Sequence, residues 1–122
     1  MQLSLSLLGD AFWILALSIM AGASRWAWPK IPAGVKVPIQ WGRDGAPSMR
    51  LGKLLALTGL VVIAFTVGAY MKIESLSPNH GFDTLIIVML VRIASAPLFV
   101  VIHLIQVRRA LITLAEEDQI TL

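Results

Sequence analysis

The sequence predicts an all-α integral membrane protein, with three transmembrane helices and a loop containing Pro, Gly and Trp between the first and second. Three observations carry this. The 122 residues are 57% hydrophobic and 14% charged, with a mean hydropathy of +0.82, a composition foreign to ordinary soluble domains. Three apolar runs, at about 3–26, 51–71 and 84–107, each supply the roughly 20 residues a helix needs to cross hydrocarbon. The segments between them collect most of the prolines and turn-forming residues.

A chain of this length holds one domain. It has no cysteine, which removes disulfides, thiolate nucleophiles and thiolate metal sites together. The formal charge of +3 comes from basic residues beside the apolar runs, so anionic lipid headgroups are the expected partner and nucleic acid is not.

The third run sets how the others pack. On a helix stepping about 100° per residue, Arg92, Ser95, Ala96, Phe99, His103 and Gln106 fall on one narrow face. A charge facing lipid costs about 2.5–3.5 kcal/mol on the lower scales, so this polar stripe, with Ser95, His103 and Gln106 beside the arginine, turns toward protein. Pro97 removes a backbone donor, frees the Ile93 carbonyl and predicts a kink. Asp83 is placed to cap the helix start.

From Leu3 to Ser24 the first run is interrupted by Asp10 alone. Ala21-Gly22-Ala23 near its end has the small residues of a signal-peptidase site, but no Lys or Arg precedes the run and Arg25, Lys30 and Lys36 follow it. That charge order is the reverse of a signal peptide's, so a retained helix is expected. Trp26 and Trp28 are expected at headgroup level. If helices 1 and 3 both start at the same face, Asp10 lies about 10 Å and Arg92 about 12 Å from it, at 1.5 Å per residue. An intramembrane ion pair between them follows; the alternative has Asp10 wet at the helix start and Arg92 snorkelling or bonding to carbonyls near Pro97.

The loop at 29–50 contains Pro29, Pro32, Pro38 and Pro47, a spacing that forbids a continuous helix. Val37–Trp41 reads as a short extended piece, and Arg43-Asp44-Gly45 as a tight turn. Pro29, Pro38, Trp41, Gly45 and Pro47 make this an ordered loop folded on the membrane surface, with Trp41 its apolar anchor. In the second run Gly52, Ala56, Gly59, Ile63, Thr66 and Tyr70 share a helical face whose first half is small residues. That half is either a close-packing surface between helices or the ordinary Gly and Ala content of a membrane helix.

The stretch from Trp28 to Pro47, leading into a hydrophobic helix, resembles the loop of the SdpI-type membrane proteins, a family that includes bacteriocin immunity and signalling proteins. The matching positions are Pro29, Ile31, Val37, Pro38, Trp41, Gly45 and Pro47. This chain departs from the pattern at Gln40 and Gly42, where a His and an Asn are common, and has no acidic residue around Ser48 and Met49. The resemblance implies a short, three-span version of the family, in a bacterial inner membrane.

After Arg108-Arg109 the tail at 108–122 is expected to lie on the interface as an amphipathic helix, with Leu111, Leu114 and Ala115 toward the apolar side and Glu116, Glu117 and Asp118 toward water. Arg25, Lys30, Lys36, Arg43, Arg50 and Lys53 border or lie in the first loop, and Arg108 and Arg109 follow the third run, whereas the opposite side has only Lys72. The positive-inside rule then puts the loop and C-terminus in the cytoplasm and the N-terminus outside. No catalytic, cofactor or metal constellation is expected. His80 and Asp83 amount to half a metal site at most, and no serine has a base in sequence context. The expected function is therefore a non-catalytic accessory, immunity or regulatory protein acting by helix and loop contacts with a larger membrane protein or a second copy. The alternative is a small transport or proton-conducting subunit using the polar stripe.

Overall fold

The computed structural model describes residues 2–76 and 81–121. Helix α1 runs over Gln2–Ala27 and passes into a short 3-10 turn at Trp28–Lys30, where Pro29 takes an early position that needs no backbone donor. Strands β1 (Lys36–Trp41) and β2 (Pro47–Gly52) follow, then α2 (Lys53–Ser75) and α3 (Phe82–Glu116). All three helices are long and apolar enough to cross a membrane. Their outward faces expose Ile14, Leu15, Val62, Phe65, Leu98 and Ile105, each more than half accessible. A soluble protein rarely shows so much contiguous apolar surface.

The direction of the helices can be read from their contacts. From α1 to α3 the polar contacts join residues separated by 79 to 83 positions throughout, from Asp10–Arg92 to Ser24–His103, so these helices are parallel and in constant register. From α1 to α2 the order reverses: Asp10 meets Lys72, Trp13 meets Gly68, and Ser24 meets Leu57. Helix α2 is antiparallel to both.

Trp13 fills the centre. Its ring lies on the bare backbone of Gly68, where an added Cβ would come within 2.8 Å of a ring carbon, and it meets Phe99 with centroids 5.6 Å apart. Its Nε1 donates to the Arg92 carbonyl at 2.7 Å. Ala16, Met20, Ala64 and Ala96 complete this layer. The small-residue face expected on α2 is not the packing face. Ile63, Thr66 and Tyr70 point outward, the position of a Gly59 side chain is open space, and Gly52 precedes the helix as the last residue of β2; only Ala56 of that set is buried. The reason is bulk: Ala64 and Gly68, about a third of a turn away from that face, admit the indole ring, whereas Ile63 and Tyr70 would not.

The fold is not wholly helical. Strands β1 and β2 pair antiparallel, Lys36 opposite Gly52 and Trp41 opposite Pro47, with irregular register around Ile39. A two-stranded sheet has no central strand, so Pro38 and Pro47 are tolerated in it. The turn closes by Gly42 N–H to the Ala46 carbonyl at 2.8 Å, Asp44 Oδ1 accepts from Ala46 N–H, and Gly45 has φ +82°. The ordered stretch therefore extends past residue 50 to Gly52, and α2 starts at Lys53.

A second correction concerns the tail. Helix α3 continues for 35 residues, about 52 Å at 1.5 Å per residue, well beyond a hydrocarbon core of about 30 Å. Its last turns do not offer Leu111 and Leu114 to a membrane interface; both are buried, with Val107 and Ala110, against Ala27, Ile31, Val37 and Leu57. Burying these side chains under the hairpin removes more apolar surface from water than laying them on an interface. Trp41 Nε1 donates to Thr113 Oγ1 at 3.2 Å while the Arg109 guanidinium stacks 4.4 Å from its ring centroid. Arg50 pairs with Glu117 through both terminal guanidinium nitrogens, so this glutamate is not simply solvated. At the other end Gly81, not Asp83, occupies the cap position of α3.

Two outcomes follow from this packing. Gly68→Ala should displace the Trp13 ring and destabilise the bundle by about 1–3 kcal/mol, read as a lower detergent unfolding midpoint with altered tryptophan fluorescence. The hydrogen bond from Arg50 holds the Glu117 carboxyl below the usual carboxylate range. A lowered pKa means stabilisation that is present above the unfolded-state value and is lost as pH falls through the folded one. Glu117→Gln should therefore weaken hairpin amide protection by about 0.2–1 kcal/mol at pH 7, and the difference from the unmodified protein should close in acid.

Candidate functional site

Two polar clusters lie inside the bundle, and each joins all three helices. In the first, the Asp10 carboxylate of α1 accepts from one cation on each neighbour. Arg92 Nη1 donates to Oδ1 at 2.6 Å and Lys72 Nζ to Oδ2 at 3.1 Å; Lys72 also donates to Ser6 Oγ at 2.7 Å. Arg92 is buried, while the carboxylate is about one third exposed beside a cleft of ≈ 280 Å³ that Ile14, Phe65 and Gly68 help to line. Gly9 lets the arginine lie along α1, since a Cβ there would stand 3.0 Å from Nη1. The guanidinium Nε is buried without a partner among the described residues. One carboxylate and two cations leave this cluster with a formal charge of +1.

In the second, His103 Nε2 is 2.8 Å from Ser24 Oγ and 3.1 Å from the Met20 carbonyl, and Ser24 Oγ is 2.5 Å from the Leu57 carbonyl. Carbonyls only accept. The network therefore assigns the proton to Nε2, shared between Met20 and Ser24, while the serine hydroxyl donates to Leu57. His103 is fully buried and its Nδ1 has no partner among the described residues. A serine beside a histidine is the contact a hydrolase uses, but here the imidazole nitrogen facing the hydroxyl is already protonated and no carboxylate among the described residues orients the other. The arrangement is a tie between helices.

The other residues singled out in the sequence are placed as follows. Ser95 bonds back to the Val91 carbonyl of its own helix at 2.6 Å and takes no part in either cluster, and Gln106 is half-buried farther along α3. Pro38 is buried in β1, Trp41 is docked on α3, Gly45 takes the positive-φ turn position, Pro29 lies in the 3-10 turn at the start of the ordered loop and Pro47 begins β2. His80 lies outside the described residues. Among those described, no group of three His, Asp or Glu side chains converges as a metal site.

Sequence reasoning missed Lys72, Ser24 and Trp13. Lys72 had a signal: it is in the last turn of α2, and an antiparallel neighbour brings that turn to the depth of Asp10. Ser24 had one too, because the register that pairs Asp10 with Arg92 also carries His103 to the end of α1. Trp13 had none, since the void above Gly68 exists only in three dimensions.

The first cluster predicts a specific pattern of non-additivity. Asp10→Asn leaves two buried-side cations facing each other, whereas Asp10→Asn with Arg92→Gln removes the opposed charges together. The double variant should be less destabilised than the sum of the two singles, by about 0.5–3 kcal/mol of coupling, and Lys72→Gln should show weaker coupling because its ammonium is about one third exposed. Detergent unfolding of the two cycles, six proteins with the unmodified chain, measures it; additive losses would mean that the charges are not coupled.

No protein family, curated protein or solved structure matches the chain.

Proposed function

We propose that the chain is a non-catalytic integral membrane protein of accessory, immunity or regulatory type, acting by contacts with a larger membrane partner. It sits in a bacterial cytoplasmic membrane with the N-terminus outside and the hairpin and C-terminus in the cytoplasm. One observation carries this reading: Asp10, Lys72, Arg92, Ser24 and His103 are engaged in holding α1, α2 and α3 together, while the loop is folded into a hairpin fixed on the end of α3. Polar groups spent on packing leave little chemistry inside and direct attention to the surfaces. The hairpin presents Arg43, Asp44 and Met49 to solvent on a rigid support, and the helices present an apolar belt. The likeness of the loop to the SdpI-type pattern is what favours immunity or signalling among accessory roles.

The transport reading meets a physical obstacle. Asp10 and Ser24 are fourteen positions apart on α1, about 21 Å along the axis, and the layer between the two clusters is Trp13, Ala16, Met20, Ala64 and Ala96. A proton relay needs titratable groups in series, and none of these five side chains titrates.

Proteoliposomes loaded with a pH-sensitive dye test the choice. The accessory reading predicts proton flux no faster than in protein-free vesicles, with or without a membrane potential. Flux that is abolished by Asp10→Asn or His103→Ala would overturn it. A periplasmically active reporter fused after Leu122 would overturn the orientation.

A further inference from the structure

Two clefts flank the same end of α1 and repeat one arrangement. On the α2 side, a cleft of ≈ 680 Å³ has Ala21, Leu57 and Val61 among its walls and Arg25 and Trp28 at its rim, with Lys53 Nζ 4.0 Å above the centre of the Trp28 ring. On the α3 side, a cleft of ≈ 490 Å³ is lined by Ala23, Leu104 and Val107, with Trp26 and Arg108 at its rim and Lys30 Nζ 4.4 Å from the centre of the Trp26 ring. Each is thus an apolar furrow between two helices, ending in one arginine, one tryptophan and one lysine stacked on that tryptophan.

The four cations make no ion pair among the described residues, and the acidic side chain paired at this end, Glu117, is held by Arg50. Unpaired cations above an apolar furrow, at the level where tryptophans mark a headgroup boundary, match a molecule with an anionic head and aliphatic tails. Both volumes fall within the roughly 300–1,000 Å³ of small-molecule sites. A partner helix would fit the furrows but not the charge, since it would have to bring two acidic clusters to opposite sides of α1.

We propose that these clefts are two seats for anionic phospholipid, one on each side of the cytoplasmic end of α1. An acyl chain lies in the furrow and the phosphodiester is held by Arg25 and Lys53 on the α2 side, or by Arg108 and Lys30 on the α3 side. The tryptophans keep the lysines over the rim, a cation–π contact that does not consume their hydrogen-bond donors. The proposal rests on the reading that the helices cross a bilayer.

The test uses the full chain reconstituted in vesicles of equal phosphatidylglycerol and phosphatidylcholine, first extracted with alkaline carbonate and then solubilised mildly for native mass spectrometry of retained lipid. Retention of phosphatidylglycerol over phosphatidylcholine is expected. The affinity of the seat concerned should fall about fivefold for each cation removed, in Arg25→Gln or Lys53→Gln on the α2 side and in Lys30→Gln or Arg108→Gln on the α3 side, read as loss of the second retained phosphatidylglycerol while the first remains. Ala21→Phe, which fills the larger furrow and keeps every charge, should also lower it. Lys36→Gln with Arg43→Gln, which removes two charges from the loop and hairpin where each cleft variant removes one, should leave it unchanged. A chain that inserts but retains both lipids equally, or whose preference follows net charge regardless of position, overturns the seats and leaves the membrane reading intact. A chain stripped by carbonate overturns both.

Discussion

The structure depends on one carboxylate answering two cations. Asp10 is alone on α1 in carrying charge within the apolar run, and it receives Arg92 from α3 and Lys72 from α2. In a low-dielectric setting a lone charge is costly and an opposite charge within hydrogen-bond reach offsets much of that cost. Apolar packing between helices gains little in lipid, because the tails are as apolar as the side chains they replace. The ion cluster therefore does what hydrophobic packing cannot: it selects one register among many of similar contact area. The His103–Ser24–Leu57 tie repeats the selection near the other end of α1, and Trp13 on Gly68 fills the interval. Two fixed points and a close-packed layer between them leave the helices little freedom to slide or rotate.

That fixed bundle explains how a proline-rich loop becomes ordered. Because α3 is parallel to α1 and outruns the other helices, its last turns stand beside the loop that α1 feeds, and the loop folds as a hairpin onto Val107, Ala110, Leu111 and Leu114. Trp41 is the fastener, its ring between apolar contacts and the Arg109 guanidinium and its indole nitrogen on Thr113. In the proposed orientation the surface so made faces the cytoplasm, and the cations left over from its packing lie where acidic headgroups would be.

Much of the helical frame was legible in the sequence because bilayer thickness and helix rise are nearly universal, so apolar length alone marks the spans. Comparing depth along α1 and α3 placed Asp10 and Arg92 at one level for the same reason. The hairpin was only half legible: Arg43-Asp44-Gly45 has turn chemistry, but Pro38 and Pro47 hide the strands, which need α3 as a support before two short edge strands are stable. The end of α3 was expected to be helical, but Leu111 and Leu114 were assigned to the membrane interface because the hairpin that covers them is not visible in the sequence. The packing face of α2 was misplaced because small residues were sorted without knowing that a tryptophan opposite would choose Gly68 over Gly59.

The central claim is that Asp10 and Arg92 are directly bonded within the assembled bundle, and dipolar recoupling by solid-state NMR measures this in bilayers. With ¹³C at the aspartate side-chain carboxyls and ¹⁵N in the arginine guanidinium groups, the account predicts strong dephasing from a close carboxyl–guanidinium contact, consistent with the 2.6 Å oxygen–nitrogen distance. The signal should vanish in Arg92→Lys. Absence of that dephasing in the unmodified protein, or its persistence in the variant, would contradict the account.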